Sequence, residues 1–230
     1  MNQKTAEIRE LWERVCLRND AAAFDALFSL CYHKLLHFCL LYVQRKEPAE
    51  EVVSDVFVRC WINRENLSHV QNPEVYLFVS VKNQSLNYLK RFSNVHLVSI
   101  GEVNTDDMVN ALDPEKETEQ RELSFLINQA ISLLPRQCQI IFRLIKEDGM
   151  KYKEVAEILQ LSPRTVETQL FRAISKLRLS MQPYLAARRG IKSSPGAGKD
   201  SGTDGRTNSP GLPPTDGILV VILLIFFTHL

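Results

Sequence analysis

The residues best suited to chemistry lie between Lys153 and Arg178, in KEVAEILQLSPRTVETQLFRAISKLR. At about 100° per residue, Arg164, Thr165, Thr168, Arg172 and Ser175 fall on one face of a helix. Short hydroxylated side chains interleaved with arginines suit phosphates and base edges, which is the chemistry of a helix laid in a DNA major groove. The bland counterpart is a helical hairpin with a solvated face, found in any bundle. Arginines beside short polar groups favour the nucleic-acid reading over plain solubility. Bond-making chemistry has no comparable support: HExxH and GxSxG are absent. The run SSPGAGKD (193–200) resembles a phosphate loop only superficially. Ser193 stands where the first glycine of GxxxxGK[ST] belongs, and Asp200 replaces the hydroxyl. It reads as linker, and no cofactor is implied.

Positioning such a face takes a partner helix and a tight turn. Val155, Ala156, Ile158 and Leu159 form an apolar face in the first half of the stretch, and Leu161-Ser162 interrupts it. Ser162 is a good N-cap, and Pro163 falls at the first helical position, where proline is tolerated. Val166, Leu170, Ala173, Ile174 and Leu177 then recur at helical spacing and must face inward.

The rest of the chain is patterned for helices as well. Its 230 residues are 45% hydrophobic and 24% charged, enough for one core or two small ones. Net charge is only +1, but residues 94–121 carry −5 and residues 122–189 carry +5. A basic module behind an acidic connector suits a nucleic-acid binder. The five cysteines form no CxxC pair, and no signal peptide precedes them, so a reducing cytoplasm is expected. Cys31, His33, His37 and Cys39 look like a ligand cluster, but helical spacing puts the histidines and cysteines on different sides. Core cysteines with surface histidines are expected, and no metal site.

In chain order, residues 4–18 make an amphipathic helix on Ile8, Leu11, Trp12 and Val15. Asp20 caps the next, about 21–43, which is apolar on more than one side and should lie centrally. Glu47-Pro48 breaks the chain. A helix over about 49–63 turns Val52, Val53, Val56, Phe57, Cys60 and Trp61 inward, leaving Glu50, Glu51 and Asp55 outside. A polar loop to Asn72 precedes a helix over 74–92, with Tyr76, Leu77, Val79, Ser80 and Leu86 among its contacts. Its end carries Lys82, Asn83, Gln84, Tyr88, Lys90 and Arg91. Cations track phosphates, amides pair with base edges, and aromatic faces stack on unpaired bases. An ordinary bundle helix with a basic end explains these residues equally well taken alone.

The order of the pieces decides between them. AEEVVSDVFVRCW (49–61) and NPEVYLFVSVKNQSLNYLKR (72–91) resemble the second conserved region of sigma-70-type factors. Residues 133–178, from LLPRQ to SKLR, resemble the fourth. With only a short connector between them, the layout resembles that of the extracytoplasmic-function (ECF) sigma factors, over residues 8–183. The resemblance implies an all-α chain of two small helical domains: region 2 at 1–93, an acidic linker at 94–120, and a region 4 helix-turn-helix at 121–185. A low-complexity linker (186–217) and an apolar segment (218–230) follow.

The same resemblance implies the roles. Glu50, Glu51 and Asp55 would dock on the largest subunit of core RNA polymerase. The loop 63–73, with Asn66 and Asn72, would capture a flipped −10 base. Lys82, Asn83, Tyr88, Lys90 and Arg91 would hold the separated strand. Arg164, Thr165, Glu167, Thr168, Gln169, Arg172 and Lys176 would read the −35 element. The family often has tryptophan where Tyr76 stands, arginine where Lys82 stands, and a cation where Glu167 stands. Lys82 keeps the charge but not the bidentate fork. Glu167 can accept from a cytosine amino group or simply face solvent. Promoter DNA, core polymerase and an anti-sigma factor are the implied partners. The connector's carboxylates could stand in the path of nascent RNA, or serve only as a solubilising tether. About 27 residues give a flexible span near 30 Å.

Two further matters stay open at this level. ILVVILLIFF (Ile218–Phe227) covers about 15 Å as helix, half the hydrocarbon thickness of a bilayer. It reads as a partial membrane anchor, as a docking segment, or as an extension without a role. The chain could also be a helix-turn-helix regulator that binds duplex DNA without polymerase. Such a protein has no need of the KNQSLNYLKR helix behind AEEVVSDVF.

Overall fold

The structure, a computed structural model, describes residues 3–93 and 118–192, with side chains over 3–92 and 125–182. Residues 94–117 of the connector, the run 193–200 and the apolar segment 218–227 lie outside the described residues. Every regular element among the described residues is helical.

Ile8, Leu11, Trp12 and Val15 recur at i, i+3, i+4 and i+7, which makes α1 (Gln3–Arg18) amphipathic, and all four are buried. Helix α2 (Ala21–Val43) starts at Asp20, whose Oδ1 accepts the Ala23 N–H at 3.0 Å. That N–H first, then the Arg14 guanidinium at 2.7 Å, hold the Asp20 carboxyl below its ordinary pKa. The helix closes at Gln44, whose φ of 60° ends the run in a left-handed cap. By length and composition α2 could cross a membrane. Here those traits belong to a central core helix, since α1, α3 and α4 all pack on it.

Helix α3 spans Lys46–Ile62, so Glu47-Pro48 does not break the chain as expected. Pro48 is buried in the first turn, where the missing N–H has no intrahelical acceptor to lose. After a 3-10 turn at Arg64–Leu67, α4 (Pro73–Ser93) begins behind Asn72, whose Oδ1 accepts the Val75 N–H at 3.3 Å. Aromatic rings join these helices. Phe38 meets Phe78 at 5.0 Å and Tyr42 at 5.3 Å, and Phe28 meets Phe57 at 4.8 Å. The Trp12 indole N–H donates to the Leu67 carbonyl at 3.2 Å while its ring stands edge-on to Tyr76. Leu86, expected among the inner contacts of α4, is 39% exposed.

The second bundle comprises α5 (Thr118–Ser132), α6 (Arg136–Lys146), α7 (Tyr152–Leu159) and α8 (Pro163–Lys192). Helix α5 begins before residue 121, where this domain was expected to start. Gly149, at a φ of +69°, makes the turn between α6 and α7. Helix α8 runs past Arg178 and through residue 186, where a linker was expected. Its buried stripe continues from Leu177 to Met181. A single helical glycine, Gly190, costs only about 1 kcal/mol and does not stop it.

The helix-turn-helix forms as its sequence predicts. Gln160, at a φ of 57°, ends α7, and Ser162 Oγ accepts the Thr165 N–H at 3.0 Å. Ser162→Ala is expected to lower stability by about 1 kcal/mol. Urea denaturation followed by circular dichroism reads this loss. An unchanged midpoint would mean the cap adds nothing to the start of α8.

Candidate nucleic-acid interface

Helix α8 is held by Val166 and Ala173, both fully buried, and by Leu170 and Leu177 at 4% and 3% exposure. With that stripe fixed inward, Arg164, Glu167, Thr168, Arg172 and Lys176 are all exposed. Three cations and one carboxylate therefore share an outward surface that can follow phosphates. Thr168 Oγ1 donates to the Arg164 carbonyl at 2.9 Å, and Thr165 and Ser162 share a hydroxyl hydrogen bond at 2.8 Å. Both threonines retain lone pairs for a donor on DNA.

Gln169 sits differently from the rest of its set. It is half-buried, and its Oε1 accepts the Cys138 thiol from α6 at 3.1 Å. It lies at the edge of the exposed surface, beside a shallow groove of about 520 Å³ between α6 and α8. Phe171, also on that groove, is 69% exposed. Sequence reasoning missed it because a lone aromatic in an amphipathic helix looks like core.

The set expected to hold the separated strand is less uniform. Asn66, Asn83, Lys90 and Arg91 are exposed, and Tyr88 is half-buried with its ring 4.4 Å from that of Phe92. Asn72 uses both ends of its amide: Oδ1 caps α4, and Nδ2 donates to Glu154 Oε1 of α7 at 3.3 Å. Lys82 is 6% exposed, and burial pulls its ammonium below the ordinary lysine pKa. Asn72 directly precedes α4, and Lys82 lies ten positions further along the chain.

On α3, Glu51 and Asp55 are exposed and Glu50 is half-buried. Val58 and Ile62 extend the same stripe at i+7 and i+11 from Glu51, at 55% and 67% exposure. An acidic patch with apolar neighbours is a surface suited to a protein partner rather than to nucleic acid. The two apolar residues were legible only as departures from the inward pattern.

The cysteine-histidine cluster divides as its spacing predicts. Cys31 and Cys39 are buried, at 1% and 0% exposure, while His33 and His37 are on the surface. Burial pushes both thiols up to about 11, so neither offers a thiolate at neutral pH.

Comparison with known proteins matches the sigma-70 region 2 family over residues 27–94 and the sigma-70 region 4 family over residues 124–177. Together these matches span more than half of the chain. The RNA polymerase sigma-H factor of Pseudomonas aeruginosa is 26% identical over 192 residues, covering 77% of this chain and 95% of that protein. The ECF RNA polymerase sigma-E factor of Haemophilus influenzae is 26% identical over 182 residues, covering 76% and 95%. Among solved structures, CnrH in complex with the cytosolic domain of CnrY shares the fold, with a TM-score of 0.51 at 20% identity. That match covers 81% of this chain and 99% of CnrH. The sigma factor RpoE of Bartonella quintana, solved in complex with the anti-sigma factor NepR, gives 0.52 at 17% identity, covering 69% and 96%.

Proposed function

Because the chain belongs to the sigma-70 family, as a factor of the ECF type, we infer that it directs core RNA polymerase to specific promoters. It initiates transcription there by reading a duplex −35 element and capturing the melted −10 strand. One observation carries this reading: two helical modules of different chemistry, each with an outward polar and cationic helix, follow one another on a single chain. Two modest DNA contacts carried by one polymerase gain from effective concentration. Phosphate affinity alone would be non-specific.

Within that reading the residues take separate roles. Arg164, Thr165, Glu167, Thr168, Arg172 and Lys176 form the −35 surface, with Gln169 at its edge. Asn66, Asn72, Lys82, Asn83, Tyr88, Lys90 and Arg91 serve the −10 strand. Glu50, Glu51 and Asp55, flanked by Val58 and Ile62, meet the polymerase. The chemistry is binding: the factor supplies specificity and holds melted DNA, and the polymerase makes the bonds. An anti-sigma partner is supported by the solved complex of the similar fold RpoE with the anti-sigma factor NepR. As a partner of core RNA polymerase the chain would act in the cytoplasm; Ile218–Phe227 lies outside the described residues.

In-vitro transcription with purified core polymerase and a promoter library tests the reading. Start-site-specific RNA should appear only when the factor is added. Tight duplex binding without start-site selection would instead indicate a polymerase-independent regulator. Asp55→Lys should weaken association with core about tenfold, close to 1.4 kcal/mol, read by competition against a labelled factor. Unaltered association would remove this face of α3 from the docking surface.

A further inference from the structure

Gln169 differs from its neighbours on α8 in having a partner on another helix. Arg164, Thr168, Arg172 and Lys176 are exposed, whereas Gln169 is half-buried and turned toward α6. Cys138, in the first turn of α6, is 3% exposed, and its thiol donates to Gln169 Oε1 at 3.1 Å. The two ends of a primary amide have opposite characters: the oxygen accepts, and the NH2 group donates two protons. Only Oε1 can receive a proton from the thiol, so Nε2 is left as the available end. It has no partner among the described residues and is open to solvent. Gln169 also lines the groove of about 520 Å³ beside Arg172, Ser175 and Lys176. It is the seventh residue of α8, within the first two turns, the part of a recognition helix that contacts base edges.

We propose that Cys138 holds Gln169 as a donor only, so that Gln169 selects a −35 base presenting acceptors, guanine or thymine, over cytosine and adenine. Guanine offers N7 and O6, which take both Nε2 protons, and thymine offers O4. Cytosine presents only an amino donor, which Nε2 cannot satisfy. Adenine sets its N6 amino group beside N7, so a donor that meets N7 also faces a second donor. An unrestrained glutamine suits adenine, because it turns oxygen to N6 and nitrogen to N7 at once. Cys138 removes that option by holding Oε1 against a buried thiol, out of reach of a base edge. Cys138 itself touches no DNA. It is a positioning residue that narrows the choice of base from behind the contact surface. The proposal rests on the reading of α8 as the −35 helix and adds the class of base that one of its residues takes.

The test is a promoter library randomised across the −35 element, scored by start-site-specific RNA from core polymerase carrying the full-length chain. The unaltered chain should show a position where guanine or thymine exceeds cytosine and adenine at least fivefold. Gln169→Glu is nearly isosteric and exchanges the outward donor for an acceptor. Cytosine, with its N4 amino group, should then rise at least tenfold relative to guanine at that position and at no other. Cys138→Ala leaves Gln169 in place but releases its oxygen, so adenine should rise at least threefold at the same position. Cys138→Ser keeps a hydroxyl donor for Oε1 and should retain the original preference. Base preference is a ratio within one preparation, so a loss of stability in a variant cancels. A merely structural role, or a contact to phosphate, lowers initiation evenly across the library. Even losses in Gln169→Glu and Cys138→Ala, with the base ratios unchanged, would therefore overturn the proposal. Adenine rising equally in Cys138→Ser would overturn the role of the hydrogen bond. If the unaltered chain selects no start site, the promoter-directing reading fails instead. Selection of randomised duplex DNA by the full-length chain alone then reads the same ratios, and no swing to cytosine in Gln169→Glu there counts against the Gln169 assignment.

Discussion

Phe78→Ala is expected to remove about 3–5 kcal/mol of stability. Phe78 is fully buried in the second turn of α4, with its ring 5.0 Å from that of Phe38 on the central helix α2. The neighbouring positions of α4, Leu77 at 1% and Val81 at 0% exposure, are closely packed as well. A large cavity there has no flexible side chain to fill it, so the loss combines transfer free energy with lost packing contacts. A domain of ordinary stability has only about 5–15 kcal/mol in total. Urea denaturation should therefore show a much lower midpoint, and start-site selection should fail along with the fold. Leu86→Ala on the same helix, where the side chain is 39% exposed, should cost under about 1 kcal/mol and serves as the control. Comparable losses for the two would mean that α4 is not docked on α2 through Phe78.

The contrast between Phe78 and Leu86 shows how far periodicity reaches. A stripe at helical spacing identifies the inner face of α1, α7 and α8 because each has one buried side. Ser162 and Pro163 mark a helix start because capping chemistry is local. Proline and glycine mislead in the other direction. Pro48 looks like a break but occupies the first turn of α3, and Gly190 looks like an end but lies within α8. In each case the helix is compatible with the residue for a reason the residue type does not carry. The site was legible as a set of exposed cations and amides on two helices. The placement of Lys82 was not, because a lysine in a run of polar residues reads as exposed, whereas its side chain is buried. The Asn72–Glu154 contact joins polar groups 82 positions apart and leaves no repeat in the sequence. Such contacts follow from how two finished bundles meet.

Arg172→Ala should cut initiation from a −35-dependent promoter roughly tenfold to a hundredfold, the equivalent of about 1–3 kcal/mol for one good bidentate contact. Arg172 is exposed, and α8 holds its backbone through Leu170 and Ala173 on the buried side. A guanidinium placed this way offers a rigid fork to the O6 and N7 of a guanine, which alanine cannot replace. The loss should be specific to the base that Arg172 reads, so a promoter library should show relaxed preference at one −35 position. Lys176→Ala, one turn further along the same face, should act differently. A lysine on phosphate weakens binding across all sequences and lowers the salt dependence by about one unit of slope. Association with core polymerase should be unchanged in both variants, since the docking face proposed for Glu50, Glu51 and Asp55 is on α3 in the other bundle. If Arg172→Ala loses core association instead, or leaves every −35 preference intact, this face of α8 meets the polymerase and promoter readout must come from elsewhere on region 4.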